Sequence, residues 1–441
     1  MQPQTTPNHM EIYWHDYASQ FGETPITEAS LTEKASVIGR TGLLLLSCGT
    51  GAWRVRNSMN AIASQLGITC TANIGLLSID YSCFDGKHCF SQSLCLHNTG
   101  VNTSKLNRLE SFVGSFPEKY AHMSGEKIHS KLDEIEKLHG LYSPVALGFA
   151  SALACSAFTF LLGGGVIEMI CAFIGAGMGN YIRCELNRRR FTLFLGIVLS
   201  VSAACLIYTG ALKLGEILLS VPTQHEAGYI CAMLFIIPGF PFITSGIDLA
   251  KLDLRSGLER LSYALIIIVV ATLTAWVMAL ILGLEPVNFP PLSISPVLLF
   301  FLRLAASFCG VFGFSVMFNS SAKLAAIAAA IGAVANTLRL ELVDIAALQP
   351  ALAAFIGAMS AGILASMIKG RLGYPRIAIT VPSIVIMVPG LYIYRAVYNL
   401  GIMSLTASST WFASAMLIIL ALPMGLIFAR ILTDKMFRYC T

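Results

Sequence analysis

Apolar positions are spread unevenly along this chain. Up to Tyr142 they come in short runs broken by charge, and beyond Pro144 they continue almost to the C-terminus. Ala29–Leu66 carries helical spacing with Gly67 as its stop, and Ile68–Asp80 alternates in strand fashion. Asp85-Gly86 is a hairpin signal, and His88–Asn98 supplies the returning strand. Lys105–Phe116 and Glu126–His139 read as helices; the second lines up Ile128, Leu132, Ile135 and Leu138 on one face and stops at Gly140. The pattern predicts a small α+β domain over 31–143, after a polar, flexible segment over 1–30.

From Pro144 to Ile182 the only ionisable side chain is Glu168. These 39 residues make two spans at about 20 residues each, turned at Gly163-Gly164-Gly165. Phe191–Gly210, Gly228–Ile247 and Leu261–Gly283 follow. A Pro-rich linker over 285–296 precedes Val297–Phe318, Ala322–Leu338, Pro350–Ile368, Ile377–Tyr398 and Trp411–Leu432. The expectation is ten transmembrane helices, five over 144–284 and five over 297–433, with a short tail over 434–441.

Charge supports that count. With the N-terminus in the cytoplasm, the inner loops hold Arg183 and Arg188–Arg190, then Lys251, Arg255 and Arg260, then Lys323, then Lys369, Arg371 and Arg376, and finally Lys435 and Arg438. The outer loops hold mainly Lys213 and Arg339. That is a positive-inside bias, and it places both termini in the cytoplasm of a cell with an inner membrane. Of the 441 residues 56% are hydrophobic and 12% charged, about half the charged share of a soluble protein. No secretory leader is visible, so the α+β domain is expected to stay in the cytoplasm.

The net charge of +5 sits largely at helix ends and gives no reason to expect a nucleic-acid partner. The expected partners are the lipid bilayer and a small molecule. Cys83, His88, Cys89, Cys95 and His97 match no common zinc spacing, and a hairpin would scatter them over both faces; they are expected to be packed strand residues, not a metal site. No Ser-His-Asp, Walker or dinucleotide signature appears in the domain, so neither an enzyme nor a cofactor is expected. A cytoplasmic sensor or enzyme domain on a membrane anchor is the alternative of another class.

Two short patterns recur. Asn180-x-x-Arg183-x-Glu185-Leu186 returns as Asn336-x-x-Arg339-x-Glu341-Leu342, 156 residues on. Pro238-Gly239 in the fourth span returns as Pro389-Gly390 in the ninth, 151 on. The order and offset suggest a duplicated five-helix unit. Because five is odd, the second copy would be inverted, an architecture common in secondary transporters. Each Pro-Gly pair falls mid-span, where proline removes a backbone hydrogen bond and the freed groups need partners in protein or in a water-filled cavity. The pairs read either as paired broken helices around a substrate or as simple kinks that aid packing. The two Asn-x-x-Arg-x-Glu segments read as paired gates, each closed by its own Arg–Glu salt bridge, or as interfacial anchors.

With these residues in view, the chain resembles the threonine/serine exporter family. The first half is similar to its larger component through GRTGLLLLSCGTGAWRVRNSMNAIASQLGI (Gly39–Ile68), GVNTSKLNRLESF (Gly100–Phe112) and IPGFPFITSGIDLAKLDLRSGLERL (Ile237–Leu261). The second resembles the smaller component through GFSVMFN (Gly313–Asn319), GAVANTLRLEL (Gly332–Leu342) and VPSIVIMVPGLYIY (Val381–Tyr394). The resemblance implies an exporter of threonine and serine in fused members, and of dicarboxylates such as succinate in two-component ones; this chain is fused, so threonine/serine export is the expected function and dicarboxylate export the alternative. It draws attention to the stretch from Pro238 through Thr244 to Asp248 and Lys251, and to Pro389-Gly390. Arg395 stands where that pattern has a small polar residue.

The remaining ionisable groups have two readings each. Glu168 is a proton-coupling carboxylate or a hydrated residue at the turn. Asp248 is expected in a loop salt bridge with Lys251, with a transport role as the other reading. Arg303 and Arg395 pair with a substrate carboxylate or snorkel to the interface. Together these make Pro238, Gly239, Thr244, Pro389, Gly390 and Arg395 the expected substrate residues. The coupling or gating set is Glu168, Asn180, Arg183, Glu185, Asp248, Asn336, Arg339 and Glu341. The drive is expected to be the proton gradient.

Overall fold

A computed structural model describes residues 12–18, 24–219, 227–286, 289 and 293–438. Parts of the expected flexible segment, linker and tail, including Asn288 and Cys440, lie outside these residues. The chain packs into two compact units: residues up to His139 with Asp248–Arg260, and Gly140–Ile247 with Leu261 onward.

In the first unit, α1 (Leu31–Ser47) and α2 (Ala52–Gln65) pack against an antiparallel sheet ordered β1 (Thr69–Ile74), β2 (Ser78–Phe84), β3 (Cys89–Cys95). Ile79, Tyr81, Cys83 and Leu94 are buried, and Tyr81 donates its hydroxyl hydrogen to Ala35 O in α1 at 3.0 Å. The Asp85-Gly86 turn forms, closed by Lys87 and His88 N–H groups on Asp85 Oδ1 at 2.8 and 2.7 Å. α3 (Thr103–Gly114) and α4 (Gly125–Glu136) lie close to their expected ranges. Two readings need correction. Ala29–Leu66 is two helices, because the chain turns at Gly49, whose φ of 80° suits glycine. Ile68–Asp80 holds the whole of β1 and the start of β2, with a turn at Gly75–Leu77.

α1 is held to α4 by Arg40, which meets Asp133 at 2.5 Å and Glu136 at 2.7 Å. The same guanidinium lies 3.4 Å from Nδ1 of buried His129 and donates to its backbone oxygen at 3.0 Å. Ser36 gives its own hydrogen to Glu33 O, so its Oγ accepts from His129 Nε2–H at 3.0 Å. These partners assign a neutral imidazole protonated at Nε2. Burial first, and Arg40 second, push the His129 pKa down to about 3.

Asp248–Arg260 is built into this unit. Gly51, before α2, has no side chain with which to cap the helix. Asp248 supplies the missing acceptor, taking the Ala52 N–H at 3.1 and 3.2 Å. Ser256 and Arg260 complete the carboxylate's partners at 2.9 and 3.2 Å. Arg260 also donates to Gly49 O at 3.2 Å and Thr50 O at 2.6 Å. The expected Asp248–Lys251 pair gives way to this cluster, and Lys251 lies 5.8 Å from the Trp53 ring centroid. Glu259 accepts the Leu76 N–H at 2.6 Å, and Arg255 pairs with Asp80 at 2.8 Å.

The second unit is helical. Its elements are α5 (Pro144–Leu161), α6 (Val166–Arg188), α7 (Leu193–Leu219), α8 (Tyr229–Ala232), α9 (Gly239–Ala250), α10 (Leu254–Leu282), α11 (Pro296–Met317), α12 (Ala322–Asp344), α13 (Pro350–Leu372), α14 (Arg376–Val385), α15 (Gly390–Gly401) and α16 (Leu405–Thr433). α9 and α10 begin or end in the first unit. Among the described residues seven helices are long and apolar enough to cross a membrane, and nine spans result if each of two bent pairs counts as one. The pair around Pro238 bends by 53° and the pair around Pro389 by 49°. The other expected span falls on α6, whose hydropathy Glu168, Asn180 and Arg183 hold down. Leu206, Ile266, Leu273 and Leu417 are exposed on α7, α10 and α16, as lipid-facing positions require. This is a polytopic helical membrane protein.

Candidate functional site

Proline shapes both bent pairs, and it shapes them alike. At the first, Ile237 N–H bonds Leu234 O at 3.1 Å, Gly239 N–H bonds Ile237 O at 2.8 Å, and Phe242 N–H bonds Pro238 O at 3.2 Å. At the second, Val388 bonds Val385 at 3.1 Å, Gly390 bonds Val388 at 2.9 Å, and Ile393 bonds Pro389 at 3.1 Å. Each bond recurs 151 residues later. The bends also pack on one another. A Cβ on Gly239 would come within 3.1 Å of Val385, and one on Gly390 within 2.9 Å of Leu234. Tyr229 and Tyr394 hydroxyls, both buried, meet at 2.5 Å across the two bent pairs. The bends therefore do meet, as expected, but apolar side chains fill the space between them.

Open space lies to one side, at the second bend. A cavity of about 490 Å³ is lined by the end of α5, the start of α11, the C-terminal turns of α12, the Ile386–Tyr392 bend, Arg395, and Trp411 of α16. Three arginines line it: Arg303, Arg339 and Arg395. Arg303 is committed, with Nη1 on Glu341 at 3.0 Å and Nη2 on Asp344. Arg339 and Arg395 each keep a buried Nε without a hydrogen-bond partner. The Arg395 guanidinium sits 4.8 Å from the Trp411 ring centroid, and Tyr392 packs edge-on against the same ring at 5.3 Å. No lining residue is acidic. Two guanidiniums that hold no carboxylate line a partly apolar cavity, which suits an anion that presents carboxylate oxygens.

Of the expected residues, Pro389, Gly390, Arg395 and Arg339 line this cavity, and Glu341 fixes its third arginine. Pro238 and Gly239 do not line it, and the Thr244 hydroxyl turns back to Phe240 O at 3.0 Å. Glu168 is buried and caps its own helix, taking the Gly165 N–H at 2.9 Å. Asn180 donates to Leu147 O at 2.9 Å and Asn336 to Ser307 Oγ at 2.8 Å, each tying its helix to the preceding one. Asp248 belongs to the first unit's cluster.

The Arg–Glu salt bridges expected within each repeated segment do not form. Residues two apart on a helix face different ways. Arg183 donates to Phe235 O at 3.4 Å, Glu185 pairs with Arg189 at 3.0 Å, and Glu341 pairs with Arg303. Tyr392, Trp411 and Asp344 were not anticipated. The i,i+3 spacing of Glu341 and Asp344, which puts two carboxylates on one face, is the signal that could have found the partner of Arg303.

The model of the family described as "Putative threonine/serine exporter" matches residues 36–283, and that described as "Threonine/Serine exporter, ThrE" matches 303–432. The chain belongs to the threonine/serine exporter family. It is also 24% identical to the "Probable succinate transporter subunit YjjP" of Escherichia coli (strain K12) over 245 residues, 53% of this chain and 91% of that protein. No solved structure matches it significantly. The exporter family models leave 284–302 between them, a stretch that takes in the linker read over 285–296 and the start of α11, so both family modules lie on a single polypeptide. About two thirds of the residues that line the Arg339–Arg395 cavity come from the second module; the end of α5, Phe289 and Leu299 lie outside that match.

Proposed function

We propose that this chain is a secondary transporter that exports small carboxylates across the inner membrane, and that the cavity at Arg339 and Arg395 is its substrate site. The observation that carries this is the pair of unpartnered guanidinium nitrogens beside a proline-broken span. A buried donor left unsatisfied costs about 1–3 kcal/mol, a cost that a bound carboxylate removes. The lining offers cations at two points and no carboxylate for an ammonium group. That balance favours a dicarboxylate of the succinate class. Threonine and serine are the second reading, favoured by the descriptions of both matching families.

The wider reading is ten spans in two inverted five-helix halves, α5–α10 and α11–α16, with both termini in the cytoplasm. The matched bonds of the two bends and the basic loops support it. In that orientation the cavity faces outward and Arg183 lies toward the cytoplasm. The proton gradient is the proposed drive, with Glu168 as the coupling carboxylate.

Counterflow in proteoliposomes with labelled succinate, threonine and serine tests the function. Succinate exchange should exceed the other two, and Arg339→Gln should lower it by about tenfold to a hundredfold at sub-saturating substrate. Exchange of threonine and serine alone would favour the second reading, and exchange of none would contradict export. For topology, an impermeant thiol reagent on intact cells should label a cysteine placed at Asn288 and spare Cys440; the reverse pattern would overturn the orientation.

A further inference from the structure

The two halves carry one arginine at matching places but use it differently. Arg183 stands three residues after Asn180, and Arg339 three after Asn336. By the 151-residue offset that relates every bond of the two bends, Phe235 corresponds to Ile386. Arg183 Nη1 is bonded to Phe235 O, at the long distance of 3.4 Å. In the second half Arg339 and Ile386 both border open space, and Arg339 keeps its Nε unpartnered. The backbone carbonyl that closes over one arginine thus has its counterpart standing clear of the other.

We propose that Arg183 is a second carboxylate-binding residue, which a backbone carbonyl occupies in this conformer. In the opposite conformer Arg183 leaves Phe235 O and faces a cavity against Pro238-Gly239. Arg339 is then covered by the carbonyl of Ile386, and the present cavity closes. The inference rests on the export reading and deepens it, since it names the residue that takes substrate from the other face. A carbonyl at 3.4 Å is a weak acceptor, and an ionised carboxylate, able to take two guanidinium N–H groups at once, is a stronger one. A small carboxylate on the Arg183 face can therefore displace the carbonyl and favour the conformer that exposes Arg183, as binding at Arg339 from the other face favours the present one. The ligand is the same for both faces: a small mono- or dicarboxylate. The two arginines take turns, so each should govern affinity on one face only.

The test is sided uptake by the full-length protein in oriented proteoliposomes, with labelled succinate, threonine and serine as probes. Arg183→Gln should raise the half-saturating concentration at least tenfold from the Arg183 face and leave the other face within twofold. Arg339→Gln should do the reverse. Equal effects on both faces, or a slower maximal rate with unchanged half-saturation, would overturn the proposal while leaving export intact. A wild-type protein that moves none of the probes would end the export reading and this one with it. If Arg183→Gln fails to fold, cysteines at Phe235 and Ile386 give the same answer. Their reactivity toward a small thiol reagent should change in opposite directions when substrate is added to one face, and parallel changes would contradict the exchange.

Discussion

Two regions bury arginine in opposite ways. Arg260 of the first unit is 3% exposed, and its Nε, Nη1 and Nη2 all have partners in Asp248, Ser256, Gly49 and Thr50. Arg339 and Arg395 of the second unit reach a cavity with donors unused. A buried charge that is fully bonded holds structure together, because every donor is already spent. One that is incompletely bonded stores an unmet demand, and a ligand can meet it. Arg40 of the first unit also keeps a buried Nε unpartnered while its Nη2 holds Asp133 and Glu136, so it is the open cavity beside Arg339 and Arg395 that separates site from clamp.

The largest effect is expected at the clamp. Asp248→Ala leaves Arg260 buried without its carboxylate and removes the acceptor at the start of α2. Loss of one member of a buried pair costs about 3–5 kcal/mol. Purified protein should show a markedly lower melting temperature and poor yield. Replacing both members, as Asp248→Leu with Arg260→Met, should recover much of that loss. If Asp248→Ala melted like wild type, the clamp reading would be wrong.

Next comes the cavity, where the effect moves from stability to transport. Arg339→Gln or Arg395→Gln should lower transport by about tenfold to a hundredfold, the equivalent of a charge-assisted hydrogen bond of about 1.5–3 kcal/mol. Melting temperature should hardly change, because no bond of the Nε is lost. A variant that lost stability and transport together would move these arginines into the same class as Arg260.

A smaller effect concerns His129, buried and bonded as the neutral form. Its folded pKa, pushed down to about 3, lies below the ordinary 6.5. The unfolded chain therefore binds the proton first as pH falls. Stability from this group is complete above about 6.5, declines below it, and is exhausted near 3. At pH 5 the loss is about 2 kcal/mol. Melting curves of wild type and His129→Gln should diverge less at pH 5 than at pH 7.5; a constant gap would remove His129 from the account.

The sequence made some of this legible and hid the rest for identifiable reasons. The bends were readable from proline followed by glycine at mid-span; proline alone does not break a span here, since α16 runs through Pro423 and α14 through Pro382. Arg395 was readable as a charge within an apolar span, and Arg339, read at the outer end of its span as part of a gate, lines the cavity beside it. The partners were not readable. Asp248 meets Ala52, 196 positions away, and the Leu76 turn is held by Glu259, 183 away; no local pattern encodes either. The Arg–Glu gates failed on a local rule, since an i,i+2 pair cannot face the same way on a helix. The break at Gly49 was signalled by Gly-Thr-Gly but overridden by apolar spacing that continues on both sides. Clean repeats mark what the two halves share, and the cavity marks where they differ in this conformer.

The most direct measurement is arginine modification of the full-length protein by phenylglyoxal, mapped by mass spectrometry with and without saturating succinate or threonine. Arg339 and Arg395 should react and be protected by whichever compound is transported, while Arg260 stays unmodified throughout. Modification of Arg339 and Arg395 at the same rate with and without a transported compound would contradict the assignment of this cavity as the substrate site.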